Sequence, residues 1–343
     1  MALEQQRFHN SLSVHAGWQA LLALTAKEHQ VENQFFPPKR KNSDGRLHFH
    51  DLREELVKLC EYTDDELIPV RAAKHVNPLT FGSYSLALWT APNLEAMLKT
   101  AAEFSFIIAS PIRLQYRENK QGSAELWVLN SEPLSQESHV TYLGVTMLIA
   151  TLIYIIKHVI LSEDIDVSVK LIEHKFSPKR TEQLERLTGT KITAGHPIRK
   201  IAIDKKHLHK PLDNYDEGIY FSALNLLRKD AESLKKGDLI LQIYNALNQA
   251  NNLENVSGES LAQSLNMNIR TLNRRLAELN TNYRGVVEKY KLEKALHLLE
   301  DQHINMTEIA YQLGFADLST FSRAFKRWTG LSPIKLRRSQ NIA

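Results

Sequence analysis

Residues Met306 to Gly330 read MTEIAYQLGFADLSTFSRAFKRWTG. Ile309, Ala310 and Leu313 share one face of a first short helix, at the spacing that lines up side chains three and four residues apart. Gly314 follows, where a helix C-cap with positive φ wants a glycine. Phe315 is placed to plug the turn, and Asp317 to cap a second helix. In that second helix Phe321, Ala324, Phe325 and Trp328 form an apolar stripe. Ser319, Ser322, Arg323 and Lys326 form the opposite face. Gly330 ends the helix, and Ser332-Pro333 opens another with proline at an early position. The pattern is a helix-turn-helix.

The same pattern occurs upstream as ESLAQSLNMNIRTLNRRLAEL, Glu259 to Leu279. Leu261, Ala262 and Leu265 make the inner face, and Asn266-Met267-Asn268 the turn. Ile269, Leu272, Leu276 and Leu279 line the back of the second helix. Arg270, Asn273, Arg274 and Ala277 point away. An apolar back with an Arg/Asn front is what a recognition helix needs, because phosphate oxygens and base edges accept hydrogen bonds from such side chains. Arg284 to Leu299 separates the copies with one amphipathic helix. On that stiff spacer, two recognition helices would enter successive major-groove turns, about 34 Å apart.

Charge agrees with this. From Ile269 to Ala343 there are 13 Lys and Arg against 7 Asp and Glu, while Met1 to Asn268 carries −2 of the overall +4. A basic segment of this kind suits a polyanion. The chain has 343 residues, 43% hydrophobic and 24% charged, enough for more than one ordinary domain core. Its single cysteine, Cys60, excludes an internal disulfide and reads as a buried thiol. The opening MALEQQRFHNSLSVH has no apolar core of the signal-peptide kind, and a reducing, cytoplasmic setting is expected. Tyr142 to Leu161, YLGVTMLIATLIYIIKHVIL, is long enough to span a bilayer. Lys157, His158, Gly144, Thr146 and Thr151 favour a core helix instead.

Upstream the reading is mixed. Helices are expected over Leu12 to Gln30, Asp51 to Glu61, and Leu94 to Ile107 with Asn93 as N-cap; Pro37, Pro38 and Gly45 mark a loop. Strands are expected at Ile112–Arg117, Ala124–Leu129, Asp166–Ile172, Ile192 and Ile198–Ile203, with a short helix at Thr181–Leu187. The fold class is therefore an α+β first domain, an antiparallel sheet covered by helices, followed by an all-α domain. Tyr220 to Leu234 reads as a connecting helix, and Lys235-Lys236-Gly237-Asp238 as the boundary. The expected division is 1–215, a connector at 216–237, and 238–343 with seven short helices.

Ile309 to Pro333, IAYQLGFADLSTFSRAFKRWTGLSP, resembles the signature of the AraC/XylS family of bacterial transcription regulators. KLEKALHLLED, Lys291 to Asp301, is similar to that family's linker helix. Two departures are Lys291 for the usual Arg and Asn280 for a frequent Gly. Pro78 to Phe104 is similar to the arabinose-binding type of regulatory domain found in ornithine-utilisation-type members. The resemblance implies a regulator, activator or repressor, that binds double-stranded DNA, contacts RNA polymerase and forms a homodimer; no cofactor is expected. It implies DNA contacts by Arg270, Asn273, Arg274, Leu318, Ser319, Ser322 and Arg323. Lys326, Arg327, Arg337 and Arg338 are candidates for phosphates. It also implies a small-molecule effector in the first domain, for which Trp89, Arg113, Tyr116 and Trp127 are candidate contacts.

Other readings are weaker. His48-x-His50 and His207-x-His209 read as surface histidines, not metal ligands. No phosphate-binding glycine loop or nucleophile elbow is present, so no enzyme is expected. The alternatives are a membrane-tethered regulator, which would pellet with membranes, and one controlled by protein contacts without a metabolite.

Overall fold

The structure is a computed structural model. It describes residues 13–31, 46–110, 112–118, 123–129, 141–160, 165–196, 198–237, 239–250, 253–254, 256–279, 281–299 and 303–342. The loop at Pro37, Pro38 and Gly45 and the caps expected at Asp238 and Asn280 lie outside these residues. The chain divides into two compact units between Ala231 and Glu232, inside a single helix.

The first unit runs β1 (Ser13–His15), α1 (Gly17–Glu28), β2 (Arg46–His48), α2 (Phe49–Thr63), α3 (Ile68–Ala73), α4 (Ser83–Trp89), α5 (Leu94–Glu103), α6 (Ser105–Ile108), β3 (Arg113–Glu118), β4 (Ser123–Leu129), α7 (Tyr142–Val159), β5 (Val167–Lys170), α8 (Pro178–Thr188), β6 (Lys191–Thr193), β7 (Arg199–Asp204) and α9 (Glu217–Gly237). Five strands form one sheet in the order β3-β4-β7-β5-β6. Strand alternation puts Leu114, Leu126, Ile201 and Val169 on its buried face. The pairs are antiparallel except β5–β6, which is parallel. That exception follows from α8, which carries the chain back across the sheet between those two strands.

The apolar segment at Tyr142 is α7. It packs against α2 and α3, and 67% of it is buried. Thr141 caps it through Gly144 N, and Lys157 ends it by donating to Thr188 O and Gly189 O at 2.8 and 2.7 Å. Its hydrophobicity serves the core of this unit.

Two helices expected from periodicity are shorter. The Leu12–Gln30 helix gives way to a strand at Ser13–His15, which pairs with Arg46–His48. That partner is distant in sequence, so local spacing does not reveal it. The Leu94–Ile107 helix breaks at Phe104. There the Ser105 hydroxyl accepts from Leu114 N and starts β3. Asn93 caps α5 as expected, accepting from Ala96 N at 2.9 Å. The short helices α3 and α4 were not anticipated.

The second unit is helical: after the last turns of α9 come α10 (Leu239–Gln249), α11 (Gly258–Ser264), α12 (Ile269–Glu278), α13 (Tyr283–Leu298), α14 (Met306–Gln312), α15 (Leu318–Thr329) and α16 (Pro333–Ile342). Tyr244 on α10 meets Tyr290 on α13 edge-on at 5.4 Å. The Tyr290 hydroxyl donates to Asn248 Oδ1 at 2.7 Å.

His15 gives the first unit a pH dependence. Its Nδ1 accepts from Gly17 N at 3.0 Å. Burial, helped by the Arg46 charge and opposed by Asp230, lowers its pKa to about 4. Above pH 6.5 the ring is neutral in folded and unfolded chains alike. As pH falls from 6.5 toward 4, only the unfolded chain takes the proton, so stability falls by about 3 kcal/mol across that window. His15→Asn keeps the acceptor and removes the titration. Urea unfolding at pH 7 and pH 4.5 should show a stability loss about 2 kcal/mol smaller in this variant than in the wild type. Equal losses would place the titration elsewhere.

Candidate nucleic-acid interface

Each short helix of the two helix-turn-helix units begins on a side chain that captures an otherwise orphaned backbone N–H. Ser257 and Ser260 form a reciprocal box at α11, at 3.1 and 3.0 Å. Asn268 accepts from Thr271 N at 2.7 Å and opens α12. Asn305 accepts from Glu308 N at 2.8 Å and opens α14. Asp317 accepts from Thr320 N at 2.7 Å and from the Thr320 hydroxyl at 3.0 Å, opening α15. These bonds hold the Asp317 carboxyl below its usual pKa. The sequence reading found Asp317. The caps at Ser257, Asn268 and Asn305, and Asn282 accepting from Gly285 N at the start of α13, were missed, although Ser or Asn before a periodic run signals them.

The backs of α12 and α15 are sealed. Leu272, Leu276, Phe321 and Phe325 have no solvent exposure. Phe315 sits in the second turn with its ring 5.6 Å from Phe321 and 6.0 Å from Trp328. The fronts are open: Arg270, Asn273, Arg274, Ser319, Arg323 and Lys326 are exposed, and Leu318 and Ser322 half-buried. All eight expected DNA-contact residues therefore lie on the helices that expectation requires. Arg274 reaches Glu278 at 3.8 Å and Arg323 reaches Thr320 at 3.5 Å, loose contacts that leave both guanidiniums in solvent.

The other basic candidates differ. Arg327 pairs with Glu288 of α13 at 2.6 Å. Arg337 is half-buried and donates to Leu299 O and Ile304 O at 3.1 and 2.8 Å, tying α16 to the end of α13. Arg338 is exposed. Lys291, where the resemblance expects Arg, lies 4.7 Å over the Phe315 ring and donates to Gly314 O at 3.4 Å. Burial lowers its pKa. A lysine here clamps the linker helix onto the second turn.

The four expected effector contacts do not converge. Register puts Trp127 opposite Gln115, so Tyr116 faces the other side of the sheet. Trp127 is buried and donates to Glu125, which also pairs with Lys200 at 2.6 Å. Tyr116 donates to Glu118 at 3.0 Å. Arg113 donates to Ser110 O and Ile112 O. Trp89 is buried, its ring 6.4 Å from His158. None of the four lines either of two apolar cavities in this unit, one beside Trp18 and Leu56 and one beside Ile153 and Leu184. Burial, followed by the charges of Asp65, Glu66 and Glu61, pushes the Cys60 thiol up to about 12, which keeps it protonated. His48 caps α2 through its Nδ1 and stacks on His50. Among the described residues no three His, Cys, Asp or Glu side chains group as metal ligands.

Residues 261–339 match a helix-turn-helix domain, and residues 37–212 match the arabinose-binding N-terminal domain of AraC transcription regulators. The second match alone covers half of the chain. The chain belongs to the AraC family. It is a DNA-binding transcription regulator with an N-terminal domain of the effector-binding type. The ornithine utilization regulator of Pseudomonas aeruginosa is 24% identical over 93% of this chain and 94% of its own length. The regulator VqsM of the same organism is 41% identical over 78 residues, 23% of this chain. That match, like those to two mycobacterial regulators, spans about a quarter of the relative's length. The crystal structure of the regulator CdpR from Pseudomonas aeruginosa aligns over 94% of this chain and 98% of its own, with 19% identity and a TM-score of 0.47.

Among the described glycines of the helical unit of this AraC-family chain, Gly314 has the least room for a side chain. Its φ is +66°, and a Cβ there would stand 2.4 Å from Glu254 N and 2.5 Å from Leu253 C. Gly330 has φ +78° with nothing within 4 Å of such a Cβ. Gly330→Ala should cost about 1 kcal/mol, the price of a left-handed alanine. Gly314→Ala should cost at least about 2 kcal/mol, because backbone must also move. Urea unfolding of both variants checks the order. Equal costs would mean that the approach to Leu253–Glu254 is slack.

Proposed function

We propose that this chain is a bacterial, cytoplasmic transcription factor that reads a specific DNA site with both recognition helices and answers to a small molecule in its first domain. In this reading residues 1–215 sense effector and bring two copies together, 216–237 connect, and 238–343 bind DNA and present a surface to RNA polymerase. The observation that carries it is the pair of capped helices, α12 and α15, with sealed backs and exposed basic and polar fronts. Arg270, Asn273 and Arg274 read through the first helix, and Leu318, Ser319, Ser322 and Arg323 through the second. Lys326 neutralises a phosphate. The burial of α7 inside the first unit favours this over the membrane-tethered alternative.

The test uses a binding site selected from randomised DNA. Arg323→Ala should weaken that site by about 1–3 kcal/mol, relax preference at one position and leave random DNA nearly unaffected. Lys326→Ala should weaken both DNAs alike and reduce the salt-dependence slope by about one unit. An Arg323→Ala variant that loses equally on selected and random DNA would contradict the base-reading role.

A further inference from the structure

The first unit holds a cavity of about 70 Å³ among β1, α2 and α7. Val14, Trp18, Leu56, Ala109, Ile112 and Met147 give it apolar walls, and Arg53 is the one charged side chain among the described residues that line it. Leu52, Arg53 and Gly144 are the half-buried residues of the lining. None of these residues was singled out as a ligand contact from the sequence. Water needs two to four polar partners to stay in such a space, so an apolar guest suits it better.

The walls lead to the helix that leaves this unit. Trp18 donates its indole N–H to Ile108 O at 2.8 Å, and its ring lies 4.6 Å from Phe81. His15 meets the same Phe81 ring edge-on at 5.7 Å. A Cβ at Gly17 would stand 2.1 Å from Thr80 O and 2.7 Å from Phe81 Cδ1, so the corner before α1 and the turn before α4 touch without slack. Two residues beyond Phe81, the Ser83 hydroxyl donates to Asp230 Oδ2 at 2.8 Å. Asp230 lies on α9, which continues to Gly237. Packing carries a displacement from Trp18 to Phe81, and the exposed Ser83–Asp230 hydrogen bond completes the link to α9.

We propose that this cavity is the effector site, that it takes a compact apolar molecule, and that Trp18, Phe81 and Ser83 pass its occupancy to Asp230 on α9. The inference rests on the reading of the chain as an effector-controlled regulator. Arg53 faces any polar end of the guest. A guest shifts α9 only if it binds one arrangement of this contact chain better than the other.

The experiment uses the full-length protein with two probes, neutral benzene and the charged butyrate. Thermal unfolding and hydrogen exchange are followed together. At least one probe should raise the unfolding temperature and change exchange at Phe81–Ser83 and around Asp230. A response to butyrate alone would assign the head to Arg53. Leu52→Trp, which adds bulk at a half-buried position of the lining, should abolish the thermal shift while circular dichroism stays unchanged. Ser83→Ala should keep the thermal shift and lose the exchange change on α9. No shift with either probe, or an undiminished shift in Leu52→Trp, would overturn the site. A shift without any change on α9 would overturn the coupling. DNA binding without probe is measured alongside: its absence would defeat the regulator reading, whereas intact DNA binding with no probe response would defeat only this inference.

Discussion

Helices α12 and α15 are too short to persist alone, since isolated helices of 10 to 12 residues are marginal in water. Burial of one stripe holds each of them. Leu272 and Leu276 do this for α12, Phe321 and Phe325 for α15, and all four are fully enclosed. The constraint is geometric as well as energetic. A stripe on one side leaves the opposite side free, so the same periodicity that folds the helix also aims Arg270, Arg274 and Arg323 outward. Stability and presentation of the basic face come from one pattern.

The remaining features of the second unit serve that burial. Side-chain caps at Asn268 and Asp317 fix where each helix starts, and so the phase of its stripe. Gly314 lets the backbone of Leu253–Glu254 come close behind the second turn. Lys291 and Phe315 lock the linker helix to that turn, and the Arg327–Glu288 pair ties the far end of α15 to the same helix. The linker helix therefore holds the turn that precedes α15 and the far end of α15 itself. Basic residues are divided between structural work, as in Lys291 and Arg337, and exposure, as in Arg323 and Lys326.

How much was legible from sequence depended on the range of the interaction. The helices of the second unit carry their apolar stripes at three- and four-residue spacing, so the helices, the turn glycine and the outward face could be read directly. The Ser13–His15 strand could not, because its partner lies at Arg46–His48. The parallel β5–β6 pair and the short helices α3 and α4 were hidden for the same reason. Aromatic type alone was a poor guide to a ligand pocket: Trp127 belongs to a buried network with Glu125 and Lys200. The apolar cavity is lined by residues from β1, α2 and α7, which no local pattern brings together.

Hydroxyl-radical footprinting on a selected DNA site tests most directly whether both recognition helices read DNA at once. The expected footprint is two protected patches per bound domain, on one face and about one helical turn apart. Arg274→Ala should weaken one patch and Arg323→Ala the other. A single patch that both substitutions weaken equally, with no protection a turn away, would contradict the joint use of α12 and α15.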